Sequence, residues 1–115
     1  MAPQTASVAQ PEGIPPGAAI LVVTRGPNAG SRFSLEKTAA SAGRHPDSDI
    51  VLDDATVSRR HAEFRWNGDA LRVLDVGSLN GTYVNRELID TAVLVHGDEL
   101  RIGKFHLVLV EQPPR

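Results

Sequence analysis

Apolar residues in this chain come in short runs, and a turn former cuts nearly every run before a helix could complete two turns. No window of about eleven residues repeats its apolar positions at the helical 3.6-residue period, whereas several alternate at period two, the mark of a half-buried strand. Ile20-Leu-Val-Val-Thr24 is rich in β-branched residues and runs into the turn Gly26-Pro-Asn-Ala-Gly30. Arg32-Phe-Ser-Leu35 alternates, and Ile50-Val-Leu52 is a short apolar run ahead of Asp53-Asp54. Ala62-Glu-Phe-Arg-Trp66 alternates into Asn67-Gly68, a two-residue hairpin signal, and Leu71-Arg-Val-Leu-Asp75 is the returning strand. Thr82-Tyr-Val84, Glu99-Leu-Arg-Ile102 and Phe105 to Val110 complete the set, with Gly97-Asp98 and Gly103-Lys104 read as hairpin turns. Residues 86–95 suit a helical turn or a short strand equally. Many short strands at close spacing predict an all-β sandwich.

The sandwich is expected over residues 18–111. Residues 1–17 read MAPQTASVAQPEGIPPG, with so little apolar surface that conformational entropy predicts a flexible tail. Pro113 and Pro114 predict a short C-terminal tail over 112–115. A chain of 115 residues without cysteine can build one core but has no disulfide, no thiolate metal site and no thiol nucleophile. Its four histidines, His45, His61, His96 and His106, are scattered, so no metal or other cofactor is expected. A net charge of −2 argues against general affinity for nucleic acid or a membrane surface. No stretch approaches the ~20 apolar residues of a membrane-spanning helix, and the N-terminus lacks the basic start and apolar run of a secretory signal. A cytoplasmic monomer is the resulting expectation.

Four polar clusters stand between the apolar runs: Gly43-Arg44-His45, Ser58-Arg-Arg-His61, Ser78-Leu-Asn-Gly-Thr82 and Asn85-Arg86. They bring Arg, hydroxyl and amide groups onto loops, the inventory needed to hold a phosphorylated peptide. Arg44 can give a phosphate two parallel charge-assisted hydrogen bonds, which Lys cannot. Ser58 can donate to another phosphate oxygen, Arg59 can add charge or a backbone N–H, and Asn80 carries both donor and acceptor for a ligand main chain. Three loops from different strands can converge at one end of a sandwich, where a rigid β scaffold usually carries its function.

Order and spacing of these clusters resemble the forkhead-associated (FHA) domain, which binds phosphothreonine. That family shows Gly-Arg, then Ser-x-x-His about a dozen residues on, then Asn-Gly some twenty residues later. The matching elements are Gly43-Arg44, Ser58 to His61 and Asn80-Gly81 within roughly Ile20 to Val110. The resemblance implies an FHA-type β-sandwich of about ten to eleven short, mostly antiparallel strands, with phosphothreonine held by Arg44, Ser58, Arg59 and Asn80. It also implies supporting roles for Gly43, His61, Gly81 and Thr82, with His61 tying neighbouring loops together.

Competing chemistries are weaker. Ser58, His61 and Asp75 or Asp98 can be drawn as a hydrolase triad, but no Gly-x-Ser-x-Gly elbow surrounds the serine and no oxyanion hole is evident. The expectation is a protein without catalytic residues. Gly26-x-x-x-Gly30 lacks the Gly-Lys-Ser/Thr of a phosphate-cradling loop, and Asp47, Asp49, Asp53 and Asp54 do not match the Ca²⁺-loop spacing. Arg59-Arg60 without neighbouring aromatics is a poor nucleic-acid contact.

Within the FHA family the chain is most similar to the small actinobacterial regulators of 2-oxoglutarate metabolism, the GarA and OdhI type. The similarity rests on segments 25–30, 42–50, 57–64 and 75–85. It implies partners among metabolic enzymes, chiefly the 2-oxoglutarate dehydrogenase complex and glutamate enzymes, and control by a Ser/Thr protein kinase acting on an N-terminal threonine. A generic FHA adaptor of another signalling pathway is the alternative. That group carries two adjacent threonines after a Glu, whereas this tail reads Gln4-Thr5-Ala-Ser-Val8, which leaves Thr5 as the candidate phosphorylation site with Val8 at +3.

Overall fold

A computed structural model describes residues 19–111, so the tails expected over 1–17 and 112–115 lie outside the described residues, as does Thr5. Eleven strands and no helix make up the described part: β1 (Ala19–Arg25), β2 (Arg32–Leu35), β3 (Ala39–Gly43), β4 (Ile50–Val51), β5 (Ala62–Asn67), β6 (Ala70–Asp75), β7 (Thr82–Val84), β8 (Glu87–Ile89), β9 (Thr91–Leu94), β10 (Glu99–Ile102) and β11 (Phe105–Glu111). They form two sheets, in the orders β9-β6-β5-β3-β4 and β2-β1-β11-β10-β7-β8. Every pairing is antiparallel except β3 with β4, where Ala42 faces Ile50 and Gly43 faces Val51. The all-β sandwich read from the sequence is the fold observed.

Alternation decides which side chains meet between the sheets. Leu21, Val23, Leu107 and Leu109 from one sheet and Phe64, Leu71 and Val73 from the other are almost fully buried in a single core. At about 25 cal/mol per Å² of apolar surface, each such side chain stabilises the fold by roughly 1.5–3 kcal/mol. Trp66 ties the layers at one edge by donating from Nε1 to the carbonyl of Leu35 in the other sheet, at 2.9 Å.

Two local expectations need correction, and the open choice over residues 86–95 is resolved in favour of strands. The hairpin between β5 and β6 pairs Asn67 with Ala70, so its two-residue loop is Gly68-Asp69 rather than Asn67-Gly68. Only Gly68 has positive φ there (64°), which suits a turn with glycine at the first central position. Residues 86–95 form no helical turn: Asn85 and Arg86 both adopt positive φ (49° and 73°), close a tight hairpin between β7 and β8, and β9 then leaves for the other sheet. Gly97-Asp98 is therefore a passage between sheets and not a hairpin, because β9 pairs with β6 while β10 pairs with β7 and β11.

Candidate functional site

Gly43, the last residue of β3, delivers Arg44 to one end of the sandwich. The loop between β4 and β5 crosses directly over it: Arg44 N–H donates to the Ser58 carbonyl (3.0 Å) and His45 N–H to the Arg59 carbonyl (3.2 Å). The crossing is so close that a Cβ on Gly43 would lie 2.2 Å from the Arg59 carbonyl oxygen, so glycine is required by contact with the neighbouring backbone.

Arg44 is partly buried, and its Nε donates to the Val57 carbonyl at 3.0 Å. That bond fixes the plane of the guanidinium and leaves both Nη groups without a hydrogen bond among the described residues. A fork held this way can serve a phosphate with two parallel bonds while losing little side-chain entropy on binding. Ser58 is held similarly. Its Oγ accepts the N–H of Leu79 (2.9 Å), and its hydroxyl hydrogen remains available to an incoming acceptor. Arg59 and Arg60 are exposed beside it.

His61 has no exposed surface. Its Nδ1 accepts the N–H of Ser58 (3.1 Å), so the ring hydrogen sits on Nε2, which donates to the Gly81 carbonyl (2.9 Å). Both ring nitrogens are thus occupied, and neither faces the Ser58 hydroxyl as a general base would. The histidine joins the loop before β5 to the loop before β7.

The third loop, 76–81, carries Asn80. Its exposed side chain donates from Nδ2 to the Thr56 carbonyl (2.9 Å), leaving Oδ1 and the second N–H directed to a ligand or solvent. The loop is organised by Asp75, at the end of β6. One carboxylate oxygen accepts the N–H groups of Gly77 and Ser78 at 2.9 Å each, and the other accepts the hydroxyls of Ser78 and of buried Thr82. Partial burial works to raise the pKa of Asp75. The Ser78 and Thr82 hydroxyls and the two backbone N–H groups outweigh it and hold the carboxyl below the usual range. Gly81 N–H then donates to the Ser78 hydroxyl, closing the turn.

Sequence reading missed Asp75 as an organiser, although Asp followed by Gly-Ser at +2 and +3 is a recognisable turn in which a carboxylate caps backbone N–H groups. It also missed Thr56. Thr56 accepts from Asn80 through its carbonyl, accepts the Lys104 N–H through its hydroxyl (2.9 Å), and is itself gripped by Asp54. Those bonds to the Thr56 side chain and N–H hold the Asp54 carboxyl below its ordinary range. Asp49, from the same acidic run, instead bonds Lys37 and the Ser41 N–H, which lower its pKa in that order. The run is thus partly a set of loop ties.

Arg44, Ser58, Arg59 and Asn80 therefore stand on three loops at one end of the sandwich, with Gly43, His61, Gly81 and Thr82 beneath them. A model of the FHA domain matches residues 40–103, which contain all of these positions. The chain is 69% identical over 102 residues to the glycogen accumulation regulator GarA of Mycobacterium tuberculosis, covering 89% of this chain and 63% of that protein. It is 68% identical over 105 residues to the oxoglutarate dehydrogenase inhibitor of Corynebacterium jeikeium, covering 91% of this chain and 73% of that protein. The chain thus spans about 63% of the length of its GarA relative. A solved FHA domain, from a structural and functional analysis of phosphothreonine-dependent FHA domain interactions, is similar with a TM-score of 0.77. It is 31% identical, with 84% of this chain and 98% of that one covered. With relatives this close and the FHA model matched over residues 40–103, the chain belongs to the FHA-domain family, in the group of GarA and the oxoglutarate dehydrogenase inhibitors.

Proposed function

We propose that this chain is a non-catalytic regulator that captures phosphothreonine segments of partner proteins through Arg44, Ser58, Arg59 and Asn80. One observation carries the reading: Arg44 and Ser58 are each clamped by backbone groups in a way that leaves the guanidinium fork and the hydroxyl hydrogen free at the same loop end. Phosphate recognition by a pre-oriented Arg cluster is the mode such a site supports. Titration with a phosphothreonine peptide and its unphosphorylated twin tests it. Saturable binding of the phosphorylated peptide alone is the expected result, and equal binding of both, or of neither, overturns the reading.

The name of the oxoglutarate dehydrogenase inhibitor relatives supports the first partner proposed, and the resemblance in sequence to the GarA and OdhI type supports the others. We assign the 2-oxoglutarate dehydrogenase complex and glutamate enzymes as targets, in a cytoplasmic setting, with a Ser/Thr kinase as the controlling enzyme. Affinity capture from an actinobacterial lysate checks this assignment, and recovery of unrelated signalling proteins would favour a generic FHA adaptor instead.

Thr5 is the proposed site of control. Thirteen residues separate it from Ala19, which at ~3.3–3.6 Å each reach roughly 43–47 Å when extended, enough to follow a small sandwich to its loop end. A tethered ligand can reach about mM effective concentration, so a phosphate on Thr5 would compete with outside partners for Arg44 and Ser58. Amide NMR on the Thr5-phosphorylated chain is the check. Shifts at Arg44, Ser58 and Asn80 that do not vary with protein concentration support closure within one molecule, and unmoved loops exclude it.

A further inference from the structure

The outer face of the six-stranded sheet carries a row of four side chains that stand directly opposite one another across β7, β10, β11 and β1: Tyr83, Arg101, His106 and Arg25. Strands lie about 4.8 Å apart, so the row runs roughly 14 Å across the sheet. Arg25 reaches this face only because of a register shift. Ala19, Leu21 and Val23 point into the core, and unbroken alternation would send Arg25 inward as well. Leu107 pairs with Val23 while His106 pairs with Arg25, which leaves Thr24 as an extra residue whose hydroxyl donates to the His106 carbonyl at 3.1 Å. The bulge turns Arg25 outward beside His106, the kind of re-aiming for which bulges are retained.

Arg101 is pre-oriented too. Its guanidinium carbon lies 4.2 Å from the centre of the Tyr83 ring, a cation–π arrangement that restrains the side chain on this exposed face. Around the row the surface forms a concave trough of about 650 Å³ that also takes in Arg86 and Glu99. Three arginines thus face one carboxylate, and among the described residues none of the three is in an ion pair. In a chain of net charge −2 this is a local reversal of sign.

We propose that this trough is a second docking site, which takes an acidic extended segment of a partner protein and needs no phosphate. Arginine forks match carboxylates bidentately, and a restrained fork gives up less entropy on pairing. Nucleic acid fits less well, because Arg101 already covers the one aromatic ring on which a base could stack. The trough lies close to the loop end: Gly26 backs onto the Lys104 carbonyl, and Lys104 is bonded to Thr56, which holds Asn80. A protein bound at the loop end can therefore continue around the edge into the basic trough, gaining affinity over its isolated phosphopeptide by making the second contact intramolecular. The trough shares no side chain with the phosphothreonine site, so either can fail alone.

The test uses the whole chain and an unphosphorylated Glu- and Asp-rich peptide of about eight residues, long enough at ~3.3 Å each to span the row. Amide NMR is expected to shift Arg25, Tyr83, Arg101 and His106, with binding that weakens as salt rises. The double variant Arg25→Glu/Arg101→Glu, both exposed positions, is expected to lower acidic-peptide affinity about tenfold or more while leaving a phosphothreonine-peptide titration unchanged. The proposal is overturned by an unmoved row, by shifts confined to Arg44, Ser58 and Asn80, or by a double variant that binds as before. Binding of inorganic polyphosphate in the row without the acidic peptide would make it a small-anion site instead. Self-association that the double variant abolishes in sedimentation would make it a contact between copies, and also overturns the proposal.

Discussion

His61 donates from Nε2 to the carbonyl of Gly81 at 2.9 Å, so a buried side chain at the start of β5 holds the backbone from which Asn80 projects. The same ring accepts the Ser58 N–H, which places Ser58 and Asn80 in one hydrogen-bonded unit. The distance between the groups that would meet a phosphate and those that would meet the ligand main chain is thereby set before any ligand arrives, the condition for binding without a large ordering cost.

Replacing His61 with Ala is expected to leave two backbone groups unpaired and a cavity beneath the loops, costing about 2–4 kcal/mol of stability. Urea unfolding followed by fluorescence measures it. A midpoint within error of the parent would mean that the ring is not a structural tie.

Replacing Arg44 with Ala is expected to abolish phosphothreonine-peptide binding with little change in fold. Truncating one side of a desolvated charge pair costs roughly 2–5 kcal/mol, whereas Arg44 is only partly buried and its loss opens no core cavity. Calorimetric titration alongside circular dichroism separates the two effects, and retained affinity would remove Arg44 from the site.

Acid should loosen the 76–81 loop through Asp75. Its folded-state pKa is held below the unfolded value of about 3.9, so its contribution to stability is fully present above that value and is lost as pH falls through the folded pKa. Asp75→Asn cannot accept from all four donors at any pH. Plotting stability against pH below about 5, the variant should be flatter than the parent; parallel curves would show that Asp75 does not carry the effect.

Arg86 sits at φ 73° in the hairpin between β7 and β8. A side chain in that region costs about 1–2 kcal/mol, and glycine there loses about 0.5–1 kcal/mol through its greater unfolded-state freedom. Arg86→Gly is therefore expected to stabilise the fold by up to about 1 kcal/mol. A lowered melting temperature would contradict this account of the turn.

Sequence alone determined the class of fold and the inventory of the site. Period-two alternation marked β2 at its observed limits, and it marked β5 and β6 apart from a one-residue displacement of the turn, because face preference is written locally in each strand. The arginine, serine and asparagine of the loops were legible as chemistry because their residue types suit few other tasks in that order. Tertiary structure decided the rest. Ala39 to Gly43 has little strand propensity of its own and is a strand through its pairing with β5 and β4, with Gly43 admitting the Arg59 backbone at its end. Thr56 and His61 reach Asn80 and Gly81 from far along the chain, so no local pattern reveals those bonds, whereas the Asp75 turn is written locally in Gly77 and Ser78. Arg25 continues an inward-facing series by its position in the chain. Only the pairing of β1 with β11, which forces Thr24 out of register, turns that charge to the surface, because burying it unpaired would cost several kcal/mol.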